Sequence, residues 1–310
     1  MDGILVIRKE KGYTSHDVVA KLRGILHMKK IGHTGTLDPA AEGVLPVALG
    51  RGTRLVELLT EKEKTYEAVL RLGVSTDTQD MTGTILSEKP VTVTEEEVRE
   101  TVASFVGEQM QVPPMYSALK VGGKKLYELA REGKTIERKP RPVVFYEIRI
   151  LDMDLPLVRI SVTCSKGTYI RTLCQDIGEK LSCGACMESL LRTKVSEFCV
   201  QDALRLSEIE ERVQKAAGQT PSEQWNAEMF DFIYAVDSVF LQYKKAVICK
   251  EWNKLLYNGN RMKKDMFVSY QKDWEQQKVR IYDEEGRFIG IYEYSEIHGD
   301  YKPVKLFMEA

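Results

Sequence analysis

The stretch GHTGTLDPAAEGVLPVALG, residues 32–50, joins a glycine-rich loop directly to an apolar segment. GVLPVALG is too short and too apolar for a surface helix, so it predicts a buried strand. The loop before it carries one carboxylate, Asp38, with His33 upstream and Pro39 directly after it. A chain needs no carboxylate in order to turn, so this loop is a candidate functional segment next to a buried strand.

Asp38 has two interpretations on spacing alone. Asp-Pro-Ala-Ala is typical of a helix start, with Asp38 as N-cap and Pro39 at the first helical position. Against this, Glu42 comes one place late for a capping box, and Gly43 would stop the helix within one turn. The alternative is a nucleophile or base held on a stiff loop. The spacing leaves both interpretations open.

Composition bounds the class of protein. The chain has 310 residues, of which 43% are hydrophobic and 29% charged, which suits one large domain and one small one. Its formal net charge of −1 excludes a uniformly basic coat but allows a local basic face. We find no export signal and no apolar run of about 20 residues, and the six cysteines are scattered. These features predict a cytoplasmic protein with reduced thiols and no membrane contact.

The remaining chain alternates between predicted strands and helices. ILVI predicts a short strand, and SHDVVAKLRGIL an amphipathic helix that Ser15 would cap. KTYEAVLRLG alternates as a half-buried strand, which places four residues on one face: Tyr66, Ala68, Leu70 and Leu72. A capping box of Thr94 and Glu97 predicts another helix.

The last third of the chain differs from the rest in composition and in its pattern of predicted elements. The segment that follows Leu206 is acidic and helical, and its composition is typical of a connection between domains. Beyond it the pattern predicts a small, mostly β domain with hairpin turns at Asn258-Gly259 and Glu285-Gly286.

Residues 120–142 are rich in cations, including Lys120, Lys124 and Lys125, with Tyr116 and Tyr127 nearby. The segment is either a solvated surface or a mobile insertion that contacts nucleic acid. SKGTYIRT places Tyr169 and Arg171 two residues apart. Arg171 is either a surface cation at a helix start or a partner for an active carboxylate.

The sequence supplies no argument for a metal or cofactor. CGAC, with Cys183 and Cys186, has zinc-ligand spacing but no second pair of ligands. GRGT holds two glycines of a dinucleotide motif without the third, and no phosphate-binding loop is present.

Several runs resemble the TruB family of tRNA pseudouridine synthases, in family order and over roughly residues 3–200: KGYTSHD, GHTGTLDPAAEGVLPVALGRGTRL, KTYEAVLRLGVSTDTQD, PPMYSALKVGGKKLYELAREG, CSKGTYIRTL and LLRTKVSEF. The resemblance implies an α+β fold, with a mixed or antiparallel central sheet flanked by helices. It implies a catalytic domain at residues 1–237 with an RNA-contacting insertion at about 108–142, and a PUA-like, RNA-binding β domain at 238–310. Glu10 stands where the family usually has proline.

The resemblance also implies an activity: isomerisation of the T-loop uridine at tRNA position 55 to pseudouridine, by base flipping and without a cofactor or metal. Asp38 matches the nucleophile, Tyr66 the tyrosine that stacks on the base and Arg171 the partner of the aspartate. The implied substrate contacts are His33, Tyr169, Leu190, Lys11, Lys120, Lys124 and Lys125. The expected partner is the T-arm stem-loop, bound by a monomer.

Other functions remain open at this level. The chain could be a tRNA-binding or tRNA-folding protein whose catalysis is incidental, an N-glycosidase that releases uracil, or a guide-RNA-dependent synthase. The routes open to Asp38 are attack at uracil C6, attack at C1′, and loss of a ribose proton.

Overall fold

The computed structural model describes residues 1–308. The strands of its first part are β1 (Gly3–Lys9), β2 (Ile31–His33), β3 (Glu42–Leu49), β4 (Lys64–Leu72), β5 (Val74–Thr76), β6 (Ile85–Glu88), β7 (Gly107–Gln111), β8 (Lys120–Val121), β9 (Lys124–Lys125), β10 (Arg141–Asp154), β11 (Leu157–Cys164), β12 (Ala185–Val195), β13 (Phe198–Cys199) and β14 (Ile233–Tyr234). Those of its last part are β15 (Lys244–Val247), β16 (Met262–Lys263), β17 (Lys278–Tyr282), β18 (Phe288–Ser295) and β19 (Asp300–Leu306). The α-helices are α1 (Ser15–Ile25), α2 (Val56–Thr60), α3 (Glu95–Ala103), α4 (Leu126–Arg131), α5 (Ile170–Lys180), α6 (Leu206–Ala217) and α7 (Asn253–Tyr257).

A ten-stranded sheet organises the first part of the chain, in the order β14-β1-β3-β12-β4-β11-β10-β7, with β2 beside β3 and β13 beside β12. Its pairs are antiparallel except β3 with β12, which run parallel. The predicted α+β class with a mixed central sheet is therefore confirmed. The parallel pair lies at the start of β3, directly after the Asp38 loop, and so joins β12 to the end of that loop.

The predicted strand at residues 64–72 is confirmed as β4. Its buried residues alternate, with Tyr66, Ala68, Leu70 and Leu72 on the buried face. They share a core with Val98 and Val102 of α3 and with side chains of α5. The capping box of Thr94 and Glu97 is also present at the start of α3.

The predicted cap of the first helix was wrong by one residue. Thr14 is the N-cap of α1 and forms a capping box with Asp17. Ser15 is the first helical residue, and its buried hydroxyl accepts a hydrogen bond from the Leu37 N–H at 3.0 Å. The misassigned serine therefore holds the Asp38 loop instead of the helix end.

The acidic segment after Leu206 is more than a connection. Ile209 and Val213 of α6 are fully or almost fully buried. They pack in one cluster with Leu22 of α1 and Leu5 of β1. The helix is amphipathic, with acidic residues on its outer face and apolar residues on its inner face. The average composition of the segment is acidic and therefore does not reveal the apolar face.

A five-stranded sheet follows, in the order β15-β17-β18-β19-β16. The predicted hairpin at Glu285-Gly286 lies between β17 and β18, as expected. Asn258-Gly259 is not a hairpin turn, since it directly follows α7 and Gly259 has φ +68°. Glycine in this conformation also ends helices, so the dipeptide alone was ambiguous.

The two sheets share a hydrophobic cluster. Leu55 and Phe198 from the first part contact a set that includes Phe240 and Phe307 from the last part. The Arg54 guanidinium also donates to the main-chain oxygen of Leu306 at 2.9 Å. No helix within residues 1–308 has the length and apolar character to cross a membrane.

Candidate active site

The Asp38 loop is a turn and not a helix start. Residues 39 and 40 form the turn, and the Ala41 N–H donates to the Asp38 carbonyl at 3.0 Å before β3 begins at Glu42. The N-cap interpretation of Asp38 was therefore wrong. Its carboxylate has no helix to cap, and 40% of the side chain is exposed.

Buried groups fix the main chain of this loop. Lys9 is completely buried, and its ammonium donates to the carbonyl oxygens of Ala41 at 2.6 Å and Pro39 at 3.3 Å. The Gly12 N–H donates to the Pro39 carbonyl at 2.9 Å. Burial lowers the pKa of Lys9 to about 8. Lys9 of β1 and Gly12 of the KGYTS run thus contribute to the site by holding the loop.

Arg171 lies against Asp38. One guanidinium nitrogen, Nη2, is 3.0 Å from the carboxylate and also donates to the Tyr116 carbonyl at 2.9 Å. The other, Nη1, donates to the Thr78 carbonyl at 3.0 Å. Because only 5% of Arg171 is exposed, the interpretation as a surface cation was wrong. Its fixed donors orient the carboxylate.

A second carboxylate, Asp80, is a site residue that the sequence reasoning missed. It is 7% exposed and lies 3.6 Å from Nη1 of Arg171. The Thr78 hydroxyl at 2.8 Å and the Thr82 N–H at 3.0 Å donate to it. The available signal was the STDTQDMTG run, which places hydroxyl residues on both sides of this aspartate.

Three further predicted residues surround the carboxylate side of the site. Tyr66 of β4 is 9% exposed, and burial raises its pKa, an effect that the Arg192 guanidinium opposes. Burial likewise raises the pKa of Tyr169. The Gln111 side chain holds the main chain of Tyr169 through bonds of 2.8 and 3.0 Å. Leu190 of β12 is buried.

A cleft of about 610 Å³ brings these residues together, since Asp38, Tyr66, Tyr169, Arg171 and Leu190 all line it. Its charged lining is mostly cationic: Asp38 is the one carboxylate among the lining residues, and the cations are Lys64, Arg141, Lys166, Arg171 and Arg192. A cleft of this kind suits a polyanion that presents one neutral, flat group to the carboxylate.

The other predicted contacts lie outside the cleft lining. His33 is the last residue of β2, and its ring centroid lies 5.2 Å from that of His16. The pKa of His33 is lowered mainly by burial and to a smaller extent by the charge of His16. Lys11 is exposed and lies 3.9 Å from Glu42. A role for these two residues requires substrate that extends beyond the cleft.

The predicted insertion carries a small hairpin of β8 and β9, whose turn is Gly122-Gly123. Lys120 and Lys124 are exposed. Lys124 lies 3.5 Å from Glu132, and the Lys125 ammonium is 5.3 Å from the centre of the Tyr127 ring. The insertion therefore presents cations and an aromatic ring on one short projection.

Cys183 and Cys186 are both buried. Burial raises the pKa of Cys186 to about 11, and its sulfur lies 3.3 Å from that of Met81. Among residues 1–308, no three metal-ligating side chains cluster.

Family models and curated relatives match most of the chain. The family model "TruB family pseudouridylate synthase (N terminal domain)" matches residues 23–170, and "tRNA pseudouridylate synthase B C-terminal domain" matches residues 171–241. A tRNA pseudouridine synthase B from Lachnoclostridium phytofermentans is 53% identical, covering 99% of this chain and 100% of the relative. One from Clostridium novyi is 45% identical over 94% and 95% of the two chains.

Solved structures share the fold. A chain from a Cbf5-Nop10-Gar1 complex has a TM-score of 0.71 and 25% identity, covering 99% of this chain and 85% of that one. A chain from an H/ACA RNP bound to a substrate RNA that contains 2′-deoxyuridine has a TM-score of 0.70 at 22% identity and the same coverage.

The family models and the curated relatives define an isomerase that forms pseudouridine. The chain belongs to the TruB family of pseudouridylate synthases.

Proposed function

We propose that this enzyme isomerises the T-loop uridine of tRNA to pseudouridine, with Asp38 as the nucleophile. The observation that carries the proposal is the pairing of Asp38 with buried Arg171 in a cationic cleft that Tyr66 also lines. The curated relatives named above are tRNA pseudouridine synthases, which supports tRNA as the substrate.

The reaction breaks the bond between uracil N1 and ribose C1′ and forms one between C5 and C1′. C5 loses a proton and N1 gains one, so the product is an isomer and no redox partner takes part. The base first leaves its stack, at a cost of a few kcal/mol. Stacking on Tyr66 offsets about 1–3 kcal/mol of this cost. Tyr169 and Leu190 complete the base pocket.

RNA binding extends from the cleft onto two surfaces. Lys120, Lys124 and Lys125 of the insertion contact phosphates of the T arm, and His33 and Lys11 lie where the loop of the RNA approaches Asp38. The charge of the cleft lining and the exposure of Lys11, Lys120 and Lys124 support this arrangement.

In this proposal the PUA-like domain predicted at residues 238–310, of which the structure describes 238–308, also binds RNA. RNA binding by this domain is supported by a set of exposed lysines between residues 244 and 263, namely Lys244, Lys245, Lys250, Lys254 and Lys263. We further propose that the enzyme works as a monomer in the cytoplasm, where it meets its tRNA.

Release of tritium from 5-tritiated uridine in a T-arm stem-loop tests the proposal. We expect release by the wild type and none by Asp38→Asn, with RNA affinity retained in the variant. Turnover by Asp38→Asn would remove this residue from the mechanism. Free uracil in the supernatant would indicate an N-glycosidase, and tight binding without release would indicate a tRNA-folding protein. A requirement for an added guide RNA would overturn stand-alone recognition.

A further inference from the structure

Arg192 is a buried cation that the reaction scheme above does not use. It lies on β12, lines the cleft and is 1% exposed. Within residues 1–308, no carboxylate lies within 4.0 Å of its guanidinium. Burying an unpaired charge costs free energy, so its presence calls for a compensating role.

Its hydrogen bonds join the two ends of the Asp38 loop. The Arg192 Nε donates to the carbonyl of Val44, after the loop, at 2.7 Å. The Nη2 donates to the carbonyl of Gly35, before Asp38, at 3.4 Å. One planar group therefore fixes the separation of the loop's entry and exit.

The glycines of the loop fit around this arginine. Gly43 has φ +115°, and a Cβ there would lie 2.1 Å from the Arg192 main-chain oxygen. Gly35 has φ +139°, and its Cβ would lie 3.9 Å from the Arg192 Nη1. The backbone at both positions adopts a conformation that favours glycine.

Arg192 also adjoins the base-stacking tyrosine. In the sheet its Cα is paired with Gly43 on β3 and with Tyr66 on β4. The guanidinium counteracts the rise in the pKa of Tyr66 that burial causes. The same residue thus contacts the elements that carry both Asp38 and Tyr66.

We propose that Arg192 is a positioning residue, which sets the Asp38 loop against the Tyr66 ring through its guanidinium. The inference rests on the proposed roles of Asp38 and Tyr66. A lysine cannot replace Arg192, because a single ammonium lacks the planar fork that reaches both carbonyls. Displacement of a catalytic group by about 1 Å can cost a factor of about 100 in rate.

The test measures single-turnover tritium release and tRNA affinity for Arg192→Ala and Arg192→Lys. Lys194→Ala is the matched control, since Lys194 is an exposed cation on the same strand and does not line the cleft. We expect a rate loss of about 100-fold in both Arg192 variants, tRNA affinity within about threefold of wild type, and no change in the control.

Chemical rescue separates positioning from stability. Because Arg192 lines the cleft, ethylguanidinium can enter the space that Arg192→Ala opens. We expect it to restore the rate at least about tenfold at a temperature where the variant is fully folded, whereas ethylammonium does not. If the alanine variant does not fold, Arg192→Lys alone decides, because it keeps the charge and most of the volume.

Wild-type rates in a folded Arg192 variant would overturn the proposal, as would equal rescue by both cations. Asp38→Asn is measured in parallel. An inactive Asp38→Asn beside active Arg192 variants would refute only the positioning role, whereas an active Asp38→Asn would refute the proposed function itself.

Discussion

Arg171 donates to the Tyr116 main-chain oxygen at 2.9 Å with the same nitrogen that lies 3.0 Å from the Asp38 carboxylate. Tyr116 lies just before the cation-rich residues 120–142, so one guanidinium links this segment to the carboxylate of Asp38. Its burial leaves little freedom to make one contact without the other.

Arg171→Lys should therefore impair catalysis strongly. A lysine supplies one compact charge and cannot bind the Tyr116 and Thr78 carbonyls and Asp38 together. We expect kcat to fall about 100-fold or more, with a smaller change in tRNA affinity, in single-turnover tritium release. Arg71→Lys is the control, because Arg71 pairs with Glu188 outside the cleft and should retain the wild-type rate. A comparable rate in both variants would contradict the role of Arg171.

Gly43→Ala should destabilise the whole protein. Its φ of +115° is strained for alanine, and the added Cβ would lie 2.1 Å from a backbone oxygen. We expect the free energy of unfolding, measured in urea, to fall by about 3 kcal/mol or more. Gly122→Ala is the control for backbone strain alone. Gly122 has φ +58°, and beyond its two chain neighbours no heavy atom of residues 1–308 lies within 4 Å of the position that an added Cβ would take. That variant should lose only about 1 kcal/mol; equal losses would show that crowding at Gly43 is relieved.

The stability of the enzyme should depend on pH through Lys9. Burial lowers its pKa from 10.5 to about 8. Between these values the unfolded chain binds a proton that the folded chain lacks, so the contribution of Lys9 to stability rises with pH across this window. Urea unfolding of wild type and Lys9→Met should show a difference that shifts in favour of the wild type above pH 8. Lys124→Met, at an exposed site, should show no such shift. A pH-independent difference for Lys9→Met would place its pKa near the ordinary value.

Replacing Lys124 and Lys125 together by alanine should weaken tRNA binding and reduce its salt dependence. Each phosphate contact contributes about 0.7–0.9 to the slope of log affinity against log salt, so the slope should fall by about 1.5. Lys180→Ala with Lys215→Ala removes the same charge from exposed positions on α5 and α6 and should leave the slope unchanged. An unaltered slope in the insertion variant would show that these lysines do not contact phosphate.

The sequence predicted residues that line the cleft better than it predicted the residues that hold them in place. Asp38, Tyr66 and Arg171 stand in locally unusual surroundings, and the resemblance to a family names them directly. Lys9 and Arg192 were missed because a cation in a sequence is expected at the surface, and their carbonyl partners come from distant segments. Only the folded chain shows that these charges are buried.

Predictions from short motifs were wrong where one motif is compatible with two local conformations. Asn258-Gly259 suits a hairpin and a helix end equally, and the choice depends on the preceding α7. Ser15 suits a cap, but Thr14 takes that place and frees the serine for Leu37. In both cases the residue type correctly indicated a turn or a cap, but the segment with which it interacts was predicted wrongly.

The packing of Phe307 makes the residue that follows β19 part of the molecule's interior. This side chain is 2% exposed and lies in the cluster that includes Leu55 and Phe198, next to strands of the ten-stranded sheet. A stop codon at position 307 would therefore uncover apolar surface next to the ten-stranded sheet. Cellular quality control would then meet an aggregation-prone protein, even though every residue of the cleft had been translated.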